Sequence, residues 1–449
     1  MCKLFGTDGI RGEANRYPMD AAMGLAVGQA VAHLLKMGNR RSRIMVGKDT
    51  RISGDMLENA IAAGITSMGA DPHLVGTLPT PGIAYLTRHD RADAGIVISA
   101  SHNPYHDNGI KVFSHNGFKL SDPQEELLEE HILEGRLTEH LPASASIGRT
   151  VRVEDAGLRY AAFLRDTFPA DVSMKGMKIV VDTANGATFK VAPETFDQLG
   201  ADITVMNDTP DGLNINADCG SQHTAGLEQQ VRDSRATIGL AFDGDGDRLI
   251  AVDEKGHRIS GDQILLICAK GLKDRNALEN NLLVSTVMSN LGLRVACKRY
   301  GIDHHASQVG DRHVLEDMQR RQAVLGGEES GHLIFLKHHT TGDGILAAVQ
   351  LVTALLREDR SLSELSSLMD IYPQALINVK VAGKPEISTL PTVVEAIKQV
   401  ETELGDEGRV LVRYSGTEKL CRVMVEGPSE DLTERYCRQI AGAVKSAIG

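Results

Sequence analysis

Residues 94–111 read AGIVISASHNPYHDNGIK, and they carry the strongest structural signal in the chain. The first five residues are small or apolar, which is typical of a short buried strand. The Asn-Pro and Asn-Gly pairs that follow favour turns. Ser101 is therefore predicted on a tight turn directly after a buried strand, where its hydroxyl can act as a phosphoryl acceptor or nucleophile. An ordinary turn serine is the alternative, unless a metal site and cationic residues lie elsewhere in the chain.

A second motif, DGDGDR at residues 243–248, supplies a candidate metal site after another apolar run. Its three carboxylates occupy every second position, so on an extended segment they would point the same way. They would repel each other unless a hard cation such as Mg²⁺ were bound. An EF-hand calcium loop competes with this interpretation, because Glu254 stands at its twelfth position. That loop needs glycine at its sixth position, where this chain has Arg248. A solvated acidic loop is the other alternative.

Two glycine-containing motifs supply candidate ligand-binding groups. Residues 413–418, RYSGTE, join two predicted strands, and together with Arg422 they offer hydroxyls, backbone N–H groups and guanidinium forks for a phosphate. An ordinary hairpin loop is the alternative. Residues 326–332, GGEESGH, place Glu328 and Ser330 where they can bind sugar hydroxyls, although a polar loop fits this motif equally well.

Four basic side chains are candidates for stabilising charge or carrying protons. His332 ends the GGEESGH motif and is interpreted either as a proton carrier or as a structural imidazole. Arg11 supplies a cation in the glycine-rich N-terminal motif FGTDGIRG. His102 and Lys111 follow Ser101 and can form hydrogen bonds or ion pairs with a phosphate on its hydroxyl.

Strands and helices alternate through most of the chain. Segments near residues 42–71, 178–206 and 281–290 each have the pattern strand, loop and helix, and in the first two a Gly-Ala-Asp stop leads into a further strand. This alternation predicts an α/β fold with mixed or parallel sheets covered by helices. The spacing of roughly 100 residues indicates repeated domains and not a solenoid.

In the C-terminal part, the ratio of predicted strands to predicted helices differs from that of the preceding segments. This ratio predicts a small α+β domain. Its predicted strands and helices are 375–381, 390–403, 410–414, 420–425 and 430–448. The predicted domain limits are 1–152, 153–253, 254–370 and 371–449.

Composition excludes several classes of partner. The 449 residues carry a formal net charge of −12, which disfavours duplex DNA and anionic lipid because both need a basic surface. A phosphorylated ligand would have to be bound by local cations. The six cysteines are scattered, as expected for reduced thiols. The N-terminus has no signal-peptide core, and no apolar run has the length of a membrane span. We therefore expect a cytoplasmic protein with neither nucleic acid nor membrane as partner.

Taken in chain order, the five motifs resemble the α-D-phosphohexomutase superfamily over essentially the whole chain: FGTDGIRG, the Ser101 motif, DGDGDR, GGEESGH and RYSGTE. The segments that resemble its glucosamine branch are 101–111, 214–216, 219–220 and 286–292. Glu329 stands where phosphomannomutase/phosphoglucomutase enzymes usually have methionine. His313 and Gln222 replace a more usual tyrosine and threonine, which affects only the details of substrate preference.

The resemblance implies four domains around a central cleft, three with a common mixed α/β sheet core and a smaller C-terminal α+β domain. It implies that Ser101 is carried as a phosphoserine, and that Mg²⁺ is held by its phosphate with Asp243, Asp245 and Asp247. It also implies a sugar 1,6-bisphosphate as activator, a small phosphosugar as substrate, and a homodimer.

The implied reaction interconverts glucosamine 6-phosphate and glucosamine 1-phosphate through a 1,6-bisphosphate and supplies amino-sugar nucleotide and cell-wall precursor synthesis. Phosphomannomutase/phosphoglucomutase activity is the alternative within this class. A Mg²⁺-dependent sugar phosphatase and a non-catalytic phosphosugar sensor are alternatives from other classes.

The motif residues take distinct roles in this interpretation. The catalytic candidates are Ser101, Arg11, Lys111, Arg248 and His332. The substrate-binding candidates are His102, Arg312, Glu328, Ser330, Arg413, Ser415, Gly416, Thr417 and Arg422.

Overall fold

The fold is described by a computed structural model that covers residues 4–6, 8–38, 40–415 and 419–449. The chain divides into two compact units. The larger unit comprises Met1–Met288 and Ile302–Leu368, and the smaller unit comprises Ser289–Gly301 and Met369–Gly449. Among the described residues, three sheets belong to the larger unit and one belongs to the smaller.

The first sheet of the larger unit has six strands. They are β1 Ile10–Glu13, β2 Arg43–Lys48, β3 Asp71–Thr77, β4 Ala94–Ile98, β5 Asp107–Ser114 and β6 Val151–Arg152, in the spatial order β1-β5-β4-β2-β3-β6. Strands β4, β2, β3 and β6 are parallel, whereas β5 is antiparallel to both β4 and β1. The helices of this part are α1 Ala21–Leu34, α2 Ser53–Ser67, α3 Thr80–His89 and α4 Asp122–Glu134. All five residues of β4 are buried, as expected for a strand covered on both faces.

The second sheet has five strands. They are β7 Lys178–Asp182, β8 Asp202–Met206, β9 Ile238–Phe242, β10 Leu249–Val252 and β11 Arg258–Ile259, in the order β11-β10-β9-β7-β8. Its helices are α5 Ala156–Asp166, α6 Val191–Gln198 and α7 Ala225–Ser234. Strand β7 is parallel to β8 and β9, and β10 is antiparallel to β9 and β11.

The third sheet has four strands. They are β12 Leu282–Thr286, β13 Asp303–Ser307, β14 Leu325–Gly327 and β15 Leu333–Phe335, in the order β13-β12-β14-β15. The helices of this part of the larger unit are α8 Gly261–Asp274, α10 Asp311–Arg321, α11 Gly344–Glu358 and α12 Leu362–Ser366. Strand β12 is parallel to β13 and β14, and β15 is antiparallel to β14.

All three sheets share one four-strand arrangement. The same strand order and the same chain connections occur three times, each time with three parallel strands and one antiparallel strand. The three orders are β5-β4-β2-β3, β10-β9-β7-β8 and β15-β14-β12-β13. The predicted repeated domains with a mixed α/β core are therefore confirmed. In each copy a single turn joins the third strand to the antiparallel fourth. These turns carry the Ser101 motif, the aspartate motif and the GGEESGH motif, so three motifs far apart in sequence occupy equivalent positions.

The smaller unit is an antiparallel three-stranded sheet with helices. Its elements are α9 Leu291–Arg299, β16 Gln374–Lys380, α13 Pro391–Leu404, β17 Arg409–Tyr414, β18 Leu420–Glu426 and α14 Glu430–Ile448, and the strand order is β16-β18-β17. A buried cluster that includes Val393, Val423 and Ile440 forms its core. The predicted small α+β domain is confirmed.

Local sequence explains several element ends. Gly69 and Gly200, the first residues of the two Gly-Ala-Asp stops, have φ of 80° and 85°, the left-handed conformation that ends a helix. Short 3₁₀ turns lie at Leu137–His140, Ser144–Ser146, Gly220–Gln222, Glu279–Asn281, Ile387–Thr389 and Gly405–Glu407. Within the described ranges, the structure contains no helix with the length and apolarity needed to traverse a bilayer.

Candidate active site

Ser101 lies on a strained turn at the end of β4. Its φ of 54° is in the left-handed region, which a residue other than glycine adopts only where its surroundings enforce it. The residue is 1% exposed, and its Oγ donates a 2.6 Å hydrogen bond to Asp243 Oδ2. Its backbone N–H donates to Ser99 Oγ at 3.0 Å. The predicted tight turn after a buried strand is confirmed, and the hydroxyl contacts the aspartate motif directly.

The backbone of this turn is held by Arg51, whose side chain is fully buried. The guanidinium donates to the carbonyl oxygens of Ser101, Asn103, Pro104 and Asp107. Its Nε donates to Asp49 Oδ2 at 2.9 Å, and the same oxygen accepts a hydrogen bond from Ser99 Oγ at 2.5 Å. A buried charged donor forms stronger hydrogen bonds than a neutral one. Arg51 therefore fixes the turn in the conformation that presents the serine hydroxyl.

The aspartate motif forms a loop between β9 and β10. Gly246 has φ of +72°, and a Cβ atom on Gly244 would lie 2.5 Å from the carbonyl oxygen of Ser101. The expectation that the carboxylates align by alternating along an extended segment is wrong, because the segment turns. Oxygen atoms of all three carboxylates nevertheless lie within 4.8 Å of one another. The glycines produce the convergence by permitting the turn and its close approach to Ser101.

The three carboxylates fit a divalent cation. All are buried, and among the described residues no group donates a hydrogen bond to Oδ1 of Asp245 or to Oδ1 of Asp247. Burial, followed by repulsion from Asp247 and Asp245, raises the pKa of Asp243 well above its usual value. A cation with oxygen ligands would compensate both the unpartnered oxygens and the repulsion. Residues 249–252, which would be positions 7–10 of an EF-hand loop that begins at Asp243, form strand β10 instead.

Lys111 and Arg11 bring positive charge to this centre. Lys111 is 1% exposed, and its Nζ lies 3.0 Å from Asp245 Oδ2 and 3.8 Å from Asp247 Oδ2. Burial opposes the charge, but Asp245 and Asp8 outweigh it and raise the pKa of Lys111, so this side chain is an ammonium ion. Arg11 forms an ion pair with Asp8 Oδ2, and the same oxygen lies 3.1 Å from Lys111 Nζ.

Arg248 and His332 meet where the second and third sheets approach. Their backbones form an isolated antiparallel bridge. The backbone N–H of Arg248 donates to Asp243 Oδ1 at 3.2 Å, and His332 Nδ1 lies 3.5 Å from Asp247 Oδ2. Burial opposes protonation of His332, but Asp247 outweighs it and raises the pKa of the imidazole. Arg248 Nε lies 3.7 Å from Asp247 Oδ1, so both side chains approach the carboxylate of Asp247.

His102 is a neutral neighbour of the serine. Its Nδ1 lies 3.3 Å from Ser101 Oγ. Burial and the charges of Arg248 and Arg11 lower the pKa of His102 to about 4. Of the two possibilities that the sequence left open, a cation or a hydrogen-bonding group, the structure favours the hydrogen-bonding group.

The GGEESGH motif forms the turn between β14 and β15. Glu328 Oε1 accepts a 3.0 Å hydrogen bond from the backbone N–H of Gly310, which leaves its second oxygen for another donor. Ser330 Oγ is buried, and no described residue forms a hydrogen bond with it. A buried hydroxyl without a protein partner is uncommon, and it leaves a hydrogen-bonding group for a ligand or a water molecule.

Arg312 has a different environment from the other basic candidates. Its guanidinium forms ion pairs with two carboxylates of helix α4, Asp122 and Glu125. The distance from Arg312 Nη2 to Glu125 Oε1 is 2.8 Å. The structure therefore does not bring Arg312 to the aspartates, and its predicted contact with substrate stays a prediction.

The RYSGTE motif lies in the smaller unit. Arg413 and Arg422 are direct partners in the β17–β18 register, so two like charges stand opposite each other. Burial and the charge of Arg422 lower the pKa of Arg413. Like charges directly opposite each other on neighbouring strands destabilise a sheet. Ser415 is buried, whereas Gly416 and Thr417 lie outside the described residues.

Comparison with known proteins agrees with this arrangement along the full chain. Family models described as phosphoglucomutase/phosphomannomutase α/β/α domains I, II and III match residues 2–139, 159–256 and 260–372, and the model of the C-terminal domain matches 376–443. A protein named phosphoglucosamine mutase from Syntrophobacter fumaroxidans is 66% identical over 449 residues and covers 100% of both chains. The chain belongs to the α-D-phosphohexomutase superfamily, on its phosphoglucosamine mutase branch.

Other members support the same family membership. A phosphoglucosamine mutase from Syntrophus aciditrophicus is 55% identical, again over 100% of both chains. The crystal structure of a phosphoglucomutase/phosphomannomutase family protein from Burkholderia thailandensis superposes with a TM-score of 0.81 at 23% identity, covering 99% of this chain and 97% of that one. That similarity shows a common phosphohexomutase fold.

Several residues that position the site were missed by the sequence analysis. They are Asp8, Asp49, Arg51, Lys119, Asn216 and Asp311. For Asp49 and Arg51 the sequence contained a signal. They directly follow β2, the parallel neighbour of β4, and the carboxyl ends of parallel strands lie at the same edge of a sheet. These two residues were therefore to be expected near Ser101. For Lys119 and Asp311, which are 192 positions apart, nothing local in the sequence indicates their contact.

Proposed function

We propose that this chain is a phosphoglucosamine mutase, which interconverts glucosamine 6-phosphate and glucosamine 1-phosphate. The observation that carries this conclusion is the Ser101 hydroxyl, buried on a left-handed turn and hydrogen-bonded to a carboxylate of the converging triad. A serine that only shaped a turn would need neither the strained backbone nor the adjacent carboxylates. The full-length relatives named phosphoglucosamine mutase support an amino sugar as substrate.

In this proposal Ser101 is carried as a phosphoserine and the cation is Mg²⁺. Asp243, Asp245 and Asp247 would hold the ion together with an oxygen of the phosphate, a donor set that Mg²⁺ prefers. When bound, the ion would withdraw charge from the phosphoryl group. A phosphate brings about −1.5 to −2 charge next to three carboxylates, so a cation is also needed to make the phosphoserine compatible with its neighbours. A sugar 1,6-bisphosphate would phosphorylate Ser101 initially.

The reaction consists of two phosphoryl transfers. In the first, the O1 hydroxyl of glucosamine 6-phosphate attacks the phosphorus of phosphoserine 101. The new bond joins phosphorus to O1, the bond from phosphorus to Ser101 Oγ breaks, and glucosamine 1,6-bisphosphate forms. The bisphosphate then reverses its orientation, and Ser101 Oγ attacks the 6-phosphoryl group and releases glucosamine 1-phosphate. In the first step O1 loses a proton and the departing Ser101 Oγ gains one; in the second step Ser101 Oγ loses its proton and the departing O6 gains one.

The chain supplies charge and proton transfer for both steps. Lys111, Arg11 and Arg248 would stabilise the charge that spreads over the oxygens of the phosphoryl group in the transition state, where positioning and electrostatics provide most of the catalysis. Lys111 and His332 are buried and both contact the carboxylates, so they are the candidates for carrying the proton. His102, which is neutral, would donate or accept a hydrogen bond beside Ser101.

The substrate would be held by two sets of polar groups. Glu328 and Ser330 would bind hydroxyl groups of the sugar, because an oxygen of each has room for a further hydrogen bond. The phosphate-binding set is proposed to be Arg413, Ser415, Gly416, Thr417 and Arg422. Arg312 would join the substrate contacts only by leaving its ion pairs with helix α4.

Intact-mass measurement followed by a coupled assay tests this function. The purified protein, incubated with glucose 1,6-bisphosphate, is expected to gain about 80 Da at Ser101. With glucosamine 6-phosphate and Mg²⁺ it is expected to form glucosamine 1-phosphate without stoichiometric release of inorganic phosphate. The Ser101→Ala variant should lose both properties. A wild-type protein that never gains this mass, or that releases phosphate once per turnover, contradicts the proposal. Values of kcat/KM with glucose and mannose phosphates would separate the related mutase activities.

A further inference from the structure

A closed ring of acidic and basic side chains lies beside the aspartate triad. Its members, in order, are Asp8, Lys111, Asp247, His332, Asp311 and Lys119, which returns to Asp8. Every consecutive pair lies within ion-pair distance. Three members, Lys111, Asp247 and His332, belong to the catalytic site as described above. The other three have no contact with the carboxylate triad, so their place in the ring calls for an explanation.

Lys119 closes this ring between two distant parts of the larger unit. Its Nζ lies 2.5 Å from Asp8 Oδ1, in the N-terminal motif, and 2.5 Å from Asp311 Oδ2, at the start of helix α10. The lysine side chain is 12% exposed. The two carboxylates lie 111 and 192 positions away from it in sequence. One ammonium group therefore connects the first α/β domain with the third.

Each of these two carboxylates also contacts a catalytic candidate. Asp8 also pairs with Arg11, and its Oδ2 lies 3.1 Å from Lys111 Nζ. Asp311 Oδ2 lies 3.8 Å from His332 Nε2. Lys119 is thus two contacts away from both side chains proposed to carry the proton, although it approaches neither the serine nor the triad itself.

We propose that Lys119 is a positioning residue, which acts through Asp8 and Asp311 to hold Arg11, Lys111 and His332 around the aspartate triad. Without the ammonium group, each of the two carboxylates loses one of its cations. Asp8 would then attract Lys111 and Arg11 more strongly, and Asp311 would attract His332 more strongly, because an ion of low solvent exposure needs a partner. Both movements draw catalytic groups away from the triad. A misplacement of about 1 Å lowers an enzymatic rate about a hundredfold.

This inference rests on the proposed mutase activity, and Lys119→Met tests it. Methionine has similar length and removes only the charge. Lys119→Arg restores the charge, and a cavity of about 300 Å³ lined by Lys119, Asp311 and His332 leaves room for the larger guanidinium. Lys270→Met is the matched control, because Lys270 also bridges two carboxylates, Asp274 at 2.6 Å and Glu358 at 3.6 Å, in a helical region away from the triad.

We expect kcat of Lys119→Met to fall about a hundredfold with KM for glucosamine 6-phosphate within about threefold of wild type, and Lys119→Arg to regain most of the lost kcat. Lys270→Met should retain wild-type kcat and KM. If Lys119→Met does not fold, Asp311→Asn takes its place and should lower kcat in the same way. A kcat within threefold of wild type, a loss confined to KM, or an arginine variant as slow as the methionine variant would overturn the inference. Lack of turnover by wild type would instead refute the proposed function.

Discussion

Replacing Arg51 with methionine is expected to loosen the Ser101 turn without changing the identity of any motif residue. The guanidinium has two kinds of partner, the carboxylate of Asp49 and four carbonyl oxygens of the turn. These contacts do not contribute equally. Pro104 is exposed and Asn103 and Asp107 are partly exposed, so water can replace the arginine at their carbonyls. The carbonyl of Ser101 retains its 3.0 Å hydrogen bond from Asn216 Nδ2.

The decrease in the free energy of unfolding therefore comes mainly from the Asp49 carboxylate, which loses its cationic partner. This residue is 2% exposed, and burial already raises the pKa of its carboxyl even with Arg51 in place. Breaking a buried ion pair by removing one partner destabilises a protein by about 3–5 kcal/mol. We expect Arg51→Met to lower the free energy of unfolding by that amount, measured by urea denaturation in excess Mg²⁺. Hydrogen exchange of peptides covering residues 98–111 should become faster than in wild type.

The double variant Asp49→Asn/Arg51→Met separates stability from catalysis. Removing both charges leaves no unpaired ion, so most of the lost stability should return. The turn would still lack its carbonyl contacts, and kcat should remain about a hundredfold below wild type in both variants. The reasoning is refuted if the single variant exchanges at the wild-type rate in residues 98–111, or if kcat recovers together with stability.

Three other predictions concern the metal loop, a buried carboxyl and the paired arginines. Gly244→Ala should raise the Mg²⁺ concentration needed for half-maximal activity at least tenfold, because its Cβ would lie 2.5 Å from the Ser101 carbonyl oxygen; unchanged Mg²⁺ titration would contradict this. Burial raises the pKa of Asp343 to about 7. The folded state therefore binds a proton that the unfolded state releases near pH 4, so stability should decline by up to about 1.4 kcal/mol per pH unit as pH rises to 7. Asp343→Asn should remove this part of the decline in urea titrations at successive pH values, and an identical slope in both proteins would exclude it. Arg413→Met should raise KM for glucosamine 6-phosphate while the melting temperature in phosphate-free buffer stays equal or rises, because it removes a like charge opposite Arg422; a lower melting temperature with unchanged KM would contradict an anion site.

Most secondary structure could be predicted because its signals are local. The apolar runs at 94–98 and 249–252 are strands with those limits, and the amphipathic segment 430–448 is one helix. The glycine stops at Gly69 and Gly200 are visible in sequence because they depend on one residue's conformation. Interactions within a few residues determine such features, so a sequence pattern is sufficient to predict them.

The candidate site was predicted only in part. The residues with chemical groups suited to phosphate and metal were found from their motifs, but the reason given for the convergence of the aspartates was wrong. Strand alternation was expected, whereas the loop turns at Gly246. The three turns that carry the motifs occupy equivalent places in three sheets, which becomes evident only when the strand orders are known.

The amino-acid sequence by itself determined the inventory of this protein: a serine on a turn, three closely spaced carboxylates, and the glycines that let both loops approach each other. The tertiary structure alone decided which charges neutralise which. Arg51 meets the Ser101 turn, and Lys119 joins Asp8 to Asp311 across 111 and 192 positions of sequence. The physical reason is that electrostatic energy depends on the distance between charges and on their burial. Neither quantity can be obtained from the order of residues along the chain.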